Sequence, residues 1–263
     1  MFVFVILLSA ASAADLSVCD DGCDSATIQD AVDMSSDGDR IWISAGTYSE
    51  SVTIEHSVSL LADAAIMGTV TIEGDGSSFL LEVTAEGDAQ VHRIDFSGGG
   101  GQASIVNRGT LRLADSVISD SDATYGGILN IGALRLRDSL VVGNHGDDYA
   151  GGISSFGELE VNGCTFLAND GLRGGGLSST SGELVVRDSL FAANEADIGG
   201  AIHNRSGVAV LSDLAFTDNY ASIRGGGWSN QRGTIIVESP NYTKNNTGSG
   251  HYQDCHNPGG RCR

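Results

Sequence analysis

The stretch FAANEADIGGAIHN, residues 191–204, places Phe191 three residues before Asn194, crosses a short acidic loop, and closes on Gly199-Gly200, an apolar residue and Asn204. It is one member of a series. Aligning on the glycine before each apolar segment gives NRGTLRLADSVI, NIGALRLRDSLV, SFGELEVNGCTF, TSGELVVRDSLF, RSGVAVLSDLAF and QRGTIIVESPNY. These glycines are Gly109, Gly132, Gly157, Gly182, Gly207 and Gly233, a period of 23 to 26 residues. Upstream, GGILN, GGISS, GGGLSS, GGAIHN and GGGWSN recur at the same period, and Asn144, Asn169, Asn194, Asn219 and Asn245 each follow the glycine by twelve. A fixed period of this size is the mark of a stacked repeat architecture.

Within each unit the pattern alternates. Leu134 and Leu136, Leu159 and Val161, and Leu184 and Val186 share one side, with Arg135, Glu160 and Val185 on the other. Period two over short, glycine-bounded segments predicts strands and leaves no room for a helix between them. A unit of about 25 residues then holds three short strands and three turns, and stacked units bury one continuous apolar column. The predicted fold is all-β, a right-handed parallel β-helix with a short N-terminal capping helix.

Each recurring residue has a role in that fold. Asn144, Asn169, Asn194, Asn219 and Asn245 are predicted to form an inward ladder, each bonding turn backbone and its copy one coil on. Phe166, Phe191 and Phe216, preceded by Ile118 and Val141, fill the column three residues earlier. Cys164 aligns with Ser116, Ser139 and Ser189, so it is read as a buried free thiol. In GGAIHN, Ile202 should enter the core and His203 should face outward, while Trp228 fills the column. Ser25 is placed as the N-cap of the capping helix, with Ile28, Ala31 and Val32 at helical spacing.

The chain opens MFVFVILLSAASAAD, an apolar run with Ala11-Ser12-Ala13 at a small-residue cleavage position, which reads as a secretory leader over 1–13. The remainder divides into an N-terminal cap and first coil (14–50), the coils (51–245) and a C-terminal cap loop (246–263). Secretion to the extracellular space or cell surface, with no transmembrane segment in the mature chain, is the expectation. In an oxidising compartment Cys19 with Cys23, and Cys255 with Cys262, are plausible short-loop disulfides. Asn204, Asn241 and Asn245 begin N-x-Ser/Thr sequons, and Asn245, read as inward, would be a poor acceptor.

Fourteen Lys and Arg against thirty-four Asp and Glu give a net charge of −20. That balance opposes a nucleic-acid partner, whose phosphates need clustered cations. Carboxylates at Asp120, Asp122, Asp147, Asp148, Glu195 and Asp197, with Asp170 and Asp218, should line one edge of the stack. Calcium would suit such an edge, although a solvated acidic edge is the plainer reading and no cofactor is required. The outward strand rows read Arg112, Arg135, Glu160, Val185, Val210, Ile236 and Ala114, Arg137, Asn162, Arg187, Ser212, Glu238. Arg112, Arg135, Arg137 and Arg187 are therefore the candidate binding residues, for a glycan or a surface protein. A β-branched surface that merely satisfies strand propensity is the competing account.

The segment TIQDAVDMSSDGDRIWISAGTYSESVTIEHSVSLLAD (27–63) resembles the entry of secreted pectin-lyase-like β-helix proteins, where Gly-Thr-Tyr and a Val-x-Ile strand follow a capping helix. GGAI at 199–202, with FLAN, FAAN and FTDN ending at Asn169, Asn194 and Asn219, resembles the repeats of chlamydial polymorphic outer-membrane proteins. The sequence departs from the latter in carrying no C-terminal series of alternating strands of barrel size. The pectin-lyase-like resemblance implies polysaccharide lyase or hydrolase activity as one expectation. Such chemistry needs carboxylates or an arginine base converging in one groove, and the family's Asp-Asp plus Gly-His-Gly or Arg-x-Lys sets are not present. His145, Asp147 and Asp148 in NHGDDYAGG are the nearest candidates. The reading favoured is a non-catalytic protein acting by surface contact or adhesion, with a carbohydrate-active enzyme as the alternative.

Overall fold

The computed structural model describes residues 13–63, 68–239, 241–248 and 255–256. The chain winds as a parallel β-solenoid, with every paired strand parallel to its neighbour one coil away. Three long sheets run the length of the stack. The first has ten strands, from Asp15–Val18 to Thr234–Val237, the second nine, from Gly46–Tyr48 to Tyr242–Lys244, and the third nine, from Val52–Ile54 to Cys255–His256. A fourth sheet of six short strands, from Asp122–Ala123 to Thr247–Gly248, lies between the second and third in chain order. The three-strand coil expected from the sequence therefore gains a fourth short strand in its later units.

The apolar column sits where alternation places it. Leu111, Leu134, Leu159 and Leu184 are in register along the first sheet and buried. Phe166, Phe191 and Phe216 stack ring on ring, with centroids 4.5 and 5.5 Å apart and interplanar angles of 4° and 21°. Ile202 enters the core, and Trp228 is its partner one coil on.

Two corners turn through the left-handed region, and the sequence row at each corner follows from that. Asp115, Asp138, Asp188 and Asp213 have φ of 47° to 53°, and Asp tolerates this region better than most side chains. The next residue points inward: Ser139 and Ser189 each donate to the carbonyl two residues back at 2.6 Å, as Cys164 does at 3.2 Å. At the other corner Asp120, Gly143, Ala168, Ala193, Asp218 and Asn245 have φ of 52° to 64°. The residues after them form the polar ladder.

That ladder corrects one assignment. Asn144 accepts the Ser121 backbone N–H, Asn169, Asn194 and Asn219 each accept both the backbone N–H and the side-chain amide of the asparagine one coil earlier, and the next rung is Asn246. Asn245 is exposed at φ 55°. The reason is one extra residue between Val237 and Tyr242, whose counterparts Leu211 and Ala215 are one residue closer, so the rung falls thirteen residues after Gly233. The spacing of three from the column residue is kept, because Thr243 pairs with Phe216.

At the N-terminal end α1 (Ile28–Met34) buries Ile28, Ala31 and Val32. Its N-cap is Thr27, two residues beyond the predicted Ser25, and Thr27 accepts from the Asp30 N–H at 3.1 Å. The Glu50 carboxylate accepts from the Ile28 and Gln29 N–H groups, both at 2.9 Å, satisfying donors that a helix start leaves unpaired. Cys19 and Cys23 form a disulfide. Residues 1–12 of the expected leader, Cys262 and the side chain of Cys255 fall outside the described residues.

Candidate functional site

The outer face of the first sheet carries the predicted rows in register. Arg112, Arg135, Glu160, Val185, Val210 and Ile236 lie side by side on successive strands, as do Ala114, Arg137, Asn162, Arg187 and Ser212. What the sequence did not reveal is that each guanidinium has a carboxylate. Arg112 pairs with Asp88, Arg135 with Glu160 at 3.1 Å, Arg137 with Glu160 at 3.7 Å, and Arg187 with Glu238 at 3.3 Å. The face is thus a lattice of exposed ion pairs, each of which contributes little to stability. A shallow groove of about 520 Å³ runs across it, with Arg112, Arg135, Glu160 and Arg187 in its walls. Toward the last coils the face becomes aliphatic, with Val208 and Ile236 exposed.

The acidic edge is less concentrated than its sequence suggests. Asp122, His145, Asp170, Glu195 and Tyr220 form the first register of the fourth sheet. Asp120 belongs to the left-handed corner, and Asp197 accepts the Ser222 hydroxyl. Asp147 and Asp148 lie in the exposed loop after His145. Among the described residues no three His, Cys, Asp or Glu side chains come close enough to share one metal ion. His145 Nδ1 lies 2.9 Å from Asp170 and its Nε2 3.5 Å from Asp147. The histidine therefore gathers Asp147 and Asp170, and all three side chains are exposed.

Burial or nearby donors shift several ionisable groups, Cys164, Asp95 and Asp39 among them. Burial pushes the Cys164 thiol up to about 11, and the side chain is fully enclosed, so it is inert as a nucleophile at neutral pH. Burial raises the Asp95 carboxyl, while its Oδ1 accepts the Val117 N–H at 2.9 Å. Asp39 is held below its ordinary range by the N–H groups of Ala14 at 2.6 Å and Ser36 at 2.8 Å.

The third sheet corrects a second expectation. His203 lies on the outer side of its strand, as alternation requires, yet it is fully buried. The chain between the fourth and third sheets folds back over that side: Gly199 has φ 68°, and a Cβ on it would collide with the Ile202 carbonyl and sit 3.2 Å from the His203 Cα. Val106, Leu129, Ser154, Ser178 and Ser229 occupy the same covered row. One residue further, a second polar ladder runs through Asn107, Asn130 and Ser155, then through Asn204 and Asn230. Its signal was present as the recurring Asn or Ser that ends GGILN, GGISS and GGAIHN. Asn204 is therefore an interior sequon, whereas Asn245 is the exposed one.

No helix of the described residues is long and apolar enough to cross a membrane. No protein-family model and no curated protein sequence matches the chain. Among solved structures, the chain is similar to ORF18 of Geobacillus virus E2, with a TM-score of 0.41 and 13% identity over 85% of this chain. It spans 58% of the length of that viral protein. It is also similar to an alginate lyase from Paenibacillus sp. str. FPU-7, with a TM-score of 0.33 and 12% identity, covering 88% of this chain and 98% of the lyase.

Proposed function

We propose that this chain is a secreted, non-catalytic β-helix that acts by surface contact or adhesion, binding a glycan or a protein. The observation that carries this reading is the first sheet's outer face. It is flat, continuous over six coils, charge-paired around Arg135 and Arg137 and openly aliphatic at Val208 and Ile236. A rigid solenoid presents such rows at a repeat of about 4.8 Å, without the ordering cost a loop would incur on binding. Calcium along the acidic edge remains part of the proposal as a stabilising ion rather than a reactant.

A second reading, a polysaccharide lyase or hydrolase of the pectin-lyase-like class, is favoured by His145 beside Asp147 and Asp170. Activity on pectin, alginate and related polyuronides, measured with calcium and beside a glycan array, separates the two. Binding without turnover, weakened by Arg112→Ser, Arg135→Ser and Arg137→Ser together, is the expected result. Turnover abolished by His145→Ala would replace the contact reading with the enzymatic one.

A further inference from the structure

The cations without a carboxylate lie elsewhere on the molecule. Arg40, Arg108, Arg112, Arg135, Arg137 and Arg187 all form ion pairs. Among the described residues Arg93, Arg173, Arg205, Arg224, Arg232 and Lys244 form none, although the chain carries a net charge of −20; Arg173 and Arg224 differ from the other four, which are exposed. These two are only partly exposed, and the Arg224 Nε is buried without an acceptor. They share one row. Arg173 pairs with Ile198 and Ile198 with Arg224 on the fourth sheet, and the Arg173 N–H donates to the Tyr149 carbonyl at 3.1 Å.

Aromatic side chains continue that row. The Tyr125 and Tyr149 rings stack at 5.2 Å and 23°, and Phe156 meets both edge-on at 5.9 and 5.2 Å. The Arg173 guanidinium lies 5.9 Å from the Tyr149 ring centroid. Tyr125, Arg173, Ile198 and Arg224 each stand immediately before a glycine at positive φ, at the fold-back that roofs the third sheet. The row therefore sits on the outer skin of the roof, held by packing beneath it.

We propose that this row is a docking site for a peptide segment of a protein partner, one that presents one or two carboxylates flanked by aliphatic or aromatic side chains. Half-buried Tyr and Arg on a rigid support are the side chains that dominate protein interfaces. A guanidinium stacked on a ring keeps its in-plane donors free to grip a carboxylate in bidentate fashion. A sugar fits less well, because it needs an open aromatic face, and Tyr149 has Tyr125 and Arg173 against its ring. A polyanion fits poorly too, since Asp170, Glu195 and Asp197 lie on the strands that carry the row. The partner must be acidic only locally, within a screening distance of about 8 Å.

The inference deepens the contact function and rests on it. The test probes the full chain with an array of nine-residue peptides bearing a central Glu between Leu and Phe residues, and matched sets with Gln or Lys at that position. A glycan array runs in parallel. The wild-type chain is expected to retain Glu peptides over Gln and Lys ones. Arg173→Ser with Arg224→Ser should weaken the best peptide roughly 30-fold, while Arg205→Ser with Arg232→Ser, at exposed arginines off this row, should change it less than about threefold. Circular dichroism melting verifies the fold, and Arg173→Lys with Arg224→Lys, which keeps the charge and loses the fork, should give an intermediate loss if the Ser variant does not fold. Retention of no Glu peptide, or equal loss in both variants, overturns the docking site. Glycan binding lost only with Arg173 and Arg224 also overturns it, in favour of a sugar. Glycan binding lost only with Arg135 and Arg137 leaves the contact function standing without this site, whereas polyuronide turnover without any binding removes both.

Discussion

Replacing Asn194 by Ala tests the ladder directly. The Asn194 Oδ1 accepts the Asn169 N–H at 3.1 Å and the Asn169 side-chain amide at 3.0 Å, and its own amide donates to the Phe166 carbonyl at 3.0 Å and to Asn219 Oδ1 at 2.9 Å. Truncation does not strand every partner. Asn219 Oδ1 keeps the Asn194 N–H at 3.0 Å, and the Asn169 amide keeps the Val141 carbonyl at 2.9 Å. What remains unsatisfied is the Asn169 N–H and one hydrogen of its side-chain amide, both enclosed. At about 1–3 kcal/mol for each stranded buried group, the loss is about 2–6 kcal/mol. Asn245→Ala, by contrast, changes an exposed left-handed residue and should cost about 1 kcal/mol. Urea unfolding followed by far-ultraviolet circular dichroism compares the two through midpoint and slope. Asn246→Ala should behave like Asn194→Ala, moderated by its place in the last coil. If Asn194→Ala shifts the midpoint no further than Asn245→Ala, the ladder is not what holds this corner.

Three further outcomes follow from the same corners and ends. Cys164 should resist iodoacetamide in the folded chain at pH 8 and react once unfolded, as read by peptide mapping; Cys164→Ser, which restores the residue of the neighbouring coils, should cost less than about 1.5 kcal/mol. Ala168→Gly and Ala193→Gly should each stabilise by about 0.5–1 kcal/mol, because a methyl group at positive φ is strained; a fall in melting temperature for both would contradict the corner geometry. Asp39 has a folded pKa below its ordinary value of 3.8, so its contribution is full above that value and fades as pH falls through the lower folded one. Wild type and Asp39→Asn should therefore differ in melting temperature at pH 6 and converge at more acid pH, and a gap independent of pH would refute this.

The sequence by itself determined the coil. Inward and outward alternation, the period, the column of Phe166, Phe191 and Phe216, the Cys164 row and four rungs of the asparagine ladder are local or periodic properties. They are legible because every coil repeats the same packing problem. The candidate arginines were also placed on the right face by alternation alone. Tertiary structure decided what lies over and beside each outward residue. His203 is on the outer side of its strand but under a folded-back turn, and no parity rule reports a roof. Arg112, Arg135, Arg137 and Arg187 meet carboxylates 23 to 51 residues away in sequence, while Arg173 and Arg224 meet none among the described residues. Ion pairing depends on distances of a few ångströms across coils, which periodicity constrains only to the row. The last rung moved from Asn245 to Asn246 for a related reason: a single added residue leaves strand pairing intact but shifts any count taken from the distant glycine.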